Sequence, residues 1–263
     1  NFRNHAQLAL MPEKRFLMLH GPNGAGKTNI LEAISLLVPG RGLRRAALSD
    51  MALKDGDGSF AVSANLSDIQ LGTGTEAGAP ERRKVRINGA IQSINSLAEW
   101  LAVIWLTPSM DRIFTEGAGG RRRFLDRLVL ASAPRHAAIS GRYDQATRQR
   151  NRLLSGDTPA DAMWLDAIET EMASAAADID AARHEMVAAL SVKLAEVQEQ
   201  IFAVPQISLD GQARPSADEW RARWRASRGR DAAAGRTLEG PHRAALRVVH
   251  AGKDCDAASC STG

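Results

Sequence analysis

The chain has 263 residues, 44% of them hydrophobic and 24% charged, with a formal net charge of +4. That size and balance suit a globular protein with a real hydrophobic core, and they exclude disorder of the whole chain. No run of about 18 apolar residues occurs, which excludes a membrane-spanning helix, and two cysteines, Cys255 and Cys260, are too few for a disulfide scaffold.

In chain order, residues 5–11 and 14–20 read as two strands. Ala6, Leu8 and Leu10 alternate with other residues, and Phe16 to Leu19 form a short apolar run. A glycine-rich stretch from His20 to Thr28 leads into a helix whose apolar stripe is Ile30, Ala33, Ile34, Leu37 and Val38, ended by Pro39-Gly40. Residues 59–67 alternate as a strand, 72–80 read as a hairpin loop, and Lys84 to Asn88 as the return strand. Residues 96–106 predict a short helix running into the apolar Val103 to Leu106.

From Gly117 the pattern is helical. One helix carries Arg121-Arg122-Arg123 at its start, and a second spans 135–154. A turn at 155–159 precedes a long helix reaching about Phe202. Leu165, Ile168, Met172, Ala175, Ile179, Ala182, Met186 and Ala189 keep a heptad on the long helix. The seam then moves to Leu190, Leu194, Val197 and Ile201, a four-residue stutter. The short turn predicts antiparallel packing, either as a helical hairpin inserted into an α/β domain or as a plain helix pair in a bundle. Residues 204–210 and Leu246 to His250 are candidate strands, and 216–228 a helix with Trp220 and Trp224 four apart.

Gly21-Pro22-Asn23-Gly24-Ala25-Gly26-Lys27-Thr28 fits the P-loop pattern. An apolar run precedes it and an amphipathic helix follows, which is the context that the motif requires. Glycines let the backbone curl so that successive N–H groups meet phosphate oxygens, and the helix N-terminus adds partial positive charge. Lys27 brings an ammonium to the β- and γ-phosphates, and Thr28 offers its hydroxyl to Mg²⁺, so ATP and Mg²⁺ are the expected ligands. Hydrolysis also needs an acid at the end of a second apolar strand. Neither Val103–Leu106 nor Leu246–His250 is followed by one.

Several segments together resemble the RecF family of bacterial DNA repair ATPases. These are Asn1-Phe2-Arg3-Asn4-His5, the P-loop through Ile34, and Thr107-Pro108-Ser109-Met110-Asp111-Arg112. Downstream follow Arg121 to Arg127, Arg150 to Leu154, Gly240-Pro241-His242-Arg243, and Cys260-Ser261-Thr262-Gly263. The resemblance covers nearly the whole chain. It implies an ABC-type P-loop ATPase head, α/β, with an inserted helical-hairpin lobe, incomplete at the C-terminus. The implied division is an ATP-binding part at 1–115, a helical lobe at 116–203, and a return toward the head at 204–263.

The function it implies is DNA repair and recombination, within DNA replication and the SOS response. An ATP-dependent homodimer would bind single-stranded and gapped or junction DNA and help load RecA with RecO and RecR. It places Arg3 and Asn4 near the nucleotide and Asp111 in the Q-loop region. Ser261, Thr262 and Gly263 would begin the signature motif, with the missing acid beyond them. The chain then reads as a fragment of a cytoplasmic protein, since it opens on Asn1 and carries no export leader. A weak DNA-dependent ATPase activity is expected of the family, and this chain alone is not expected to hydrolyse ATP. Ala244-Ala245 departs from the acidic residues usual there.

Arg121, Arg122 and Arg123 are candidate DNA contacts, equally readable as the solvated start of a helix. Arg142, Arg148, Arg150 and Arg152 suggest a basic helical face. Trp220 and Trp224 suit core packing or stacking on bases. His136, His184 and His250 have no metal-ligand spacing. Two other functions fit a P-loop: a small-molecule kinase, and another SMC-like structural ATPase, which would extend its helices much further.

Overall fold

The structure, a computed structural model, describes residues 1–156, 160–196, 205–210 and 214–260. It comprises two compact units, Asn1–Trp105 and Leu106–Gly263.

The first unit sets one helix, α1 (Lys27–Ser35), beside an antiparallel meander. Its strands are β1 (Ala61–Leu66), β2 (Ile69–Glu76), β3 (Ala79–Ile87) and β4 (Ala90–Gln92), in that order. The region 72–80, expected as a loop, lies mostly in β2 and the start of β3. Its composition misleads because one of its glycines, Gly74, is there for space. A Cβ on Gly74 would stand 2.1 Å from the Phe60 carbonyl oxygen. On the opposite face Leu71, Thr73 and Thr75 point inward and are buried. Asn88 and Gly89 turn β3 into β4 with φ of 49° and 82°, the paired left-handed geometry of a tight hairpin.

The predicted strands at 5–11 and 14–20 are not strands. A strand exists only in a hydrogen-bonded ladder, and among the described residues neither segment joins either sheet. Phe16 and Met18 are each 87% exposed.

Helix α1 and the residues just past it keep most of the predicted stripe, with Leu37 and Val38 buried and Ile30 and Ala33 partly so. Leu31 and Ile34 face outward, while Glu32, Ser35 and Leu36 are buried. The polar face turns inward because it is satisfied there: Ser35 Oγ donates to the Glu32 carbonyl at 2.6 Å and accepts from Leu43 N at 2.7 Å. Leu36 packs with Phe2, Met51 and Phe60, and Leu37 with Leu71, Val85 and Leu97. At the C-terminal end, where helix carbonyls lack partners, Arg83 of β3 donates to the carbonyls of Leu36, Val38 and Gly40. Burial pushes the Arg83 guanidinium down to about 10, still cationic at neutral pH. A cation at a helix C-terminus also meets the dipole favourably.

The second unit is helical, with a small sheet. Helix α2 is Ala118–Ser132, α3 His136–Leu154, and α4 Ala162–Glu196. Strand β5 is Pro205–Leu209, α5 Ala217–Ala233, β6 Leu246–His250, and β7 Cys255–Asp256. The sheet runs β5-β6-β7, antiparallel. The residues Val197 to Phe202 of the predicted long helix lie outside the described residues. The heptad holds within α4: Leu165, Ile168, Met172, Ala175 and Ile179 are buried, while Ala189 is exposed and Leu190 and Leu194 are partly covered, as the stutter requires. Trp220 and Trp224 stack at 5.2 Å inside this core, with Trp220 Nε1 donating to Asp180 at 3.1 Å. They pack the core and present no face to bases. Helix α5 opens with a capping box between Ser216 and Glu219.

Arg150, expected on a basic surface, is fully buried. It donates to Glu169 at 2.8 Å, Asp231 at 2.8 Å, Thr237 at 2.9 Å and the Trp224 carbonyl at 2.9 Å. Five donors in a rigid fork suit such a junction better than any other side chain.

A second junction centres on the partly exposed Asp126 of α2, between the buried His136 and Arg183. It accepts from two nitrogens of Arg183, Nε and Nη2, at 2.8 and 2.9 Å, and pairs with His136 at 3.1 Å. Burial opposes its ionisation, but the bonds from His136 and Arg183 and their charge outweigh burial, so its pKa lies below the usual value. A depressed carboxyl contributes stability that is complete above the unfolded value of about 3.9 and is lost as pH falls through the lower folded value. The expected result is a urea midpoint that falls as pH drops below about 4, with the gap between the parent and Asp126→Asn narrowing over that window. A gap independent of pH would remove Asp126 from this role.

Candidate functional site

The loop between the apolar run and α1 is built on left-handed glycines. Gly24 and Gly26 have φ of 86° and 90°, which other residues adopt only at a cost of about 1–2 kcal/mol. Gly26 is itself the N-cap of α1, and no side chain caps the helix there. Nor does any acid stand in its first turn. The first amides of α1 are thus left for a ligand to satisfy, and the dipole end favours an anion. Lys27 Nζ donates to the carbonyls of Gly21 and Pro22 at 2.7 and 2.8 Å, so its ammonium lies back over the loop. Asn23, Gly24, Ala25 and Thr28 are exposed. A phosphate chain fits this donor set: uncapped amides, one ammonium, and space over Gly24, where an added Cβ would meet nothing within 4 Å.

The N-terminal residues pack directly on the loop. His5 Nε2 lies 3.3 Å from the Gly26 carbonyl oxygen, and Asn4 Nδ2 lies 3.4 Å from that of Gly24. Arg3 makes a two-pronged ion pair with Glu32 at 2.8 and 2.9 Å, and Arg44 joins the same carboxylate at 2.9 Å. The sequence gives no sign that Glu32 is buried, because an acid in a helix reads as a solvent-facing residue.

In the helical unit, the three candidate DNA contacts differ. Arg121 donates to the carbonyls of Phe114 and Glu116, at 3.2 and 3.1 Å, and so braces the turn before α2. Arg122 is half-buried and donates to the Arg243 carbonyl at 3.3 Å. Burial, then the charges of Arg183 and Arg243, push its guanidinium below the usual value. Arg123 is exposed. Asp111 lies exposed on a short 3-10 turn, Pro108–Arg112. Ser261, Thr262 and Gly263 lie outside the described residues. Among the described residues no group of three or more His, Cys, Asp or Glu is arranged to hold a metal, and no helix is long and apolar enough to cross a membrane.

The model of a family described as an AAA domain matches residues 1–116. The DNA replication and repair protein RecF of Mesorhizobium japonicum is 48% identical over 279 residues, covering all of this chain and 73% of that protein. The same-named protein of Allorhizobium ampelinum is 44% identical over 278 residues, covering all of this chain and 74% of its own length. Among solved structures, the recombination mediator protein RecF-ATP in the RecFOR pathway superposes with a TM-score of 0.85 at 23% identity, over all of this chain and 74% of that one. RecF-ATPrS from the same pathway gives 0.74 at 21%, over 88% of this chain and 66% of that one. At these identities the likeness to the solved structures is one of fold.

Proposed function

The chain belongs to the RecF family of DNA replication and repair proteins, and on that premise we propose that it binds Mg²⁺-ATP at Gly21–Thr28 and acts as an ATP-gated DNA clamp. The observation that carries this reading is the loop itself, two left-handed glycines entering an uncapped helix beside Lys27. In the proposed site, the loop amides and Lys27 hold the phosphates and the Thr28 hydroxyl holds Mg²⁺, which would neutralise phosphate charge. Residues 1–115 are the ATP-binding part and 116–203 the helical lobe. Two such heads would join with ATP between them, the motif beginning at Ser261 completing the partner's site.

DNA would lie across basic surfaces on the joined heads. Arg123 is the foremost candidate contact, since Arg121 and Arg122 already serve backbone carbonyls. Contacts of this kind bind phosphate without reading sequence and weaken with salt. Single-stranded and gapped DNA, with RecO, RecR and the loading of RecA, are the proposed setting, and the cytoplasm the proposed place.

Equilibrium dialysis with Mg²⁺-ATP tests the site. Lys27→Ala should weaken binding by about ten- to a hundredfold, as loss of a charged hydrogen bond to phosphate does, with an unchanged circular dichroism spectrum. A folded parent that binds no ATP would end the assignment.

A further inference from the structure

We propose that Glu32 is a positioning residue for the nucleotide loop, acting through a hydrogen-bonded relay of Arg44, Asn29 and Asn4 that ends on Gly24. The inference rests on the reading of Gly21–Thr28 as the ATP site and adds to it the residues that hold the loop in its binding shape.

Glu32 is an acid with no exposed surface. Burying a carboxylate is costly unless it is paired and hydrogen-bonded, and here the pairing is elaborate. Arg3 binds both of its oxygens, through Nε at 2.9 Å and Nη2 at 2.8 Å. The remaining Arg3 nitrogen, Nη1, donates to the Asp50 carbonyl at 2.6 Å. Arg3 sits at φ 54°, a left-handed conformation that a non-glycine residue keeps only where its surroundings fix it. Arg44 Nη1 reaches the same carboxylate at 2.9 Å and also donates to Asn29 Oδ1 at 2.7 Å. Asn29 and Glu32 are three apart on α1, so one guanidinium spans both.

Asn29 has its carbonyl oxygen occupied by Arg44, which fixes its amide nitrogen as the donor toward Asn4 Oδ1, at 2.7 Å. Asn4 then presents its own amide nitrogen to the Gly24 carbonyl at 3.4 Å. From Arg44, which the buried carboxylate anchors, the donor roles run in one direction, through Asn29 and Asn4 to the loop. Each link sets the orientation of the next amide, which an isolated Asn would not have. The relay ends on the left-handed glycine at the middle of the loop. A loop of this kind binds phosphate well only when its amides are already in place, since ordering it on binding subtracts from affinity.

The test is a double-mutant cycle on Mg²⁺-ATP affinity in this chain, with thermal melting measured beside it. Asn29→Ala breaks the relay in its middle and leaves the Glu32 ion pairs intact. It is expected to weaken ATP binding by about tenfold, and Asn4→Ala by a similar factor. The pair together should lose no more than the larger single loss, because both cut one relay. Asn29→Ala should melt within about 2 °C of the parent, as a partly exposed residue away from the core would. Glu32→Gln keeps the shape but removes the charge, and its ATP affinity should fall at least as far. Losses that multiply in the double variant, or Asn29→Ala binding like the parent, would overturn the relay. Lys27→Ala separates the two readings: if it loses ATP while Asn29→Ala does not, the relay fails and the site stands, and if the parent itself does not bind, the site reading fails.

Discussion

Arg150→Ala is expected to destabilise the helical unit by about 3–5 kcal/mol, the usual result of breaking a buried ion pair from one side. That is a large share of the roughly 5–15 kcal/mol by which a domain is stable at all. Four acceptors lose a donor together: Glu169, Asp231, Thr237 and the Trp224 carbonyl. Glu169 and Asp231 are fully buried and cannot turn to water. Glu169 keeps Arg228, and Asp231 keeps Ser227 Oγ at 2.7 Å, so the charges are not stranded outright and the loss should stay within that range. Arg150→Lys should recover only part, since an ammonium cannot span four acceptors in a plane. Arg152→Ala, an exposed change two residues away, should move stability by no more than about 0.5 kcal/mol. Urea unfolding followed by circular dichroism reads all three. Equal midpoints for Arg150→Ala and Arg152→Ala would show that the buried network contributes nothing.

Gly26→Ala is expected to lower ATP affinity by at least about a hundredfold while leaving the fold intact. Two costs combine. The φ of 90° is strained for alanine by about 1–2 kcal/mol. The new Cβ would also stand 2.3 Å from His5 Nε2 and 2.6 Å from Asn4 Oδ1, so either the N-terminal residues or the loop must move. Gly24→Ala separates the two costs. It has nearly the same φ, 86°, with nothing within 4 Å of an added Cβ, so only the strain remains. Its expected loss is about tenfold. Equal losses in the two variants, by equilibrium dialysis, would mean that the packing of Asn4 and His5 on the loop has no part in binding.

Local pattern and tertiary partnership account for what could be read from the sequence. The strand at 59–67 was legible because Phe60, Val62, Ala64 and Leu66 alternate, and α4 because its heptad runs for more than three turns. The likeness to RecF was legible from short ordered segments. The neighbouring β2 was hidden, because Gly72 and Gly74 look like loop residues, although Gly74 serves the close approach of the adjacent strand. The segments 5–11 and 14–20 erred the other way: their apolar pattern is that of strands, but pattern does not supply a partner.

The site divides in the same manner. The glycines and Lys27 announce the loop because phosphate chemistry demands those residue types at that spacing. Glu32, Arg44 and Asn29 do not announce themselves, since their meaning lies in one another and in Arg3, 29 residues before Glu32. Arg150 is the extreme case. Its partners lie 19, 81 and 87 residues ahead in the chain, and without them an arginine among Gln149, Asn151 and Arg152 reads as surface.

That separation bears on how the helical unit is made. A chain emerging from the ribosome presents its N-terminal portion first, so α3 and α4 are complete while Asp231 and Thr237 are still unsynthesised. At that stage Arg150 has only Glu169, and the apolar seam of α4 has no α5 to cover it. The α3–α4 pair then holds an arginine with three of its four partners absent. Arrival of residues 217–240 supplies Trp220 and Trp224 to the seam and Asp231 and Thr237 to Arg150 in one docking event. The packed unit is therefore complete only when residues 217–240 are present, with a single arginine linking α3 to α5.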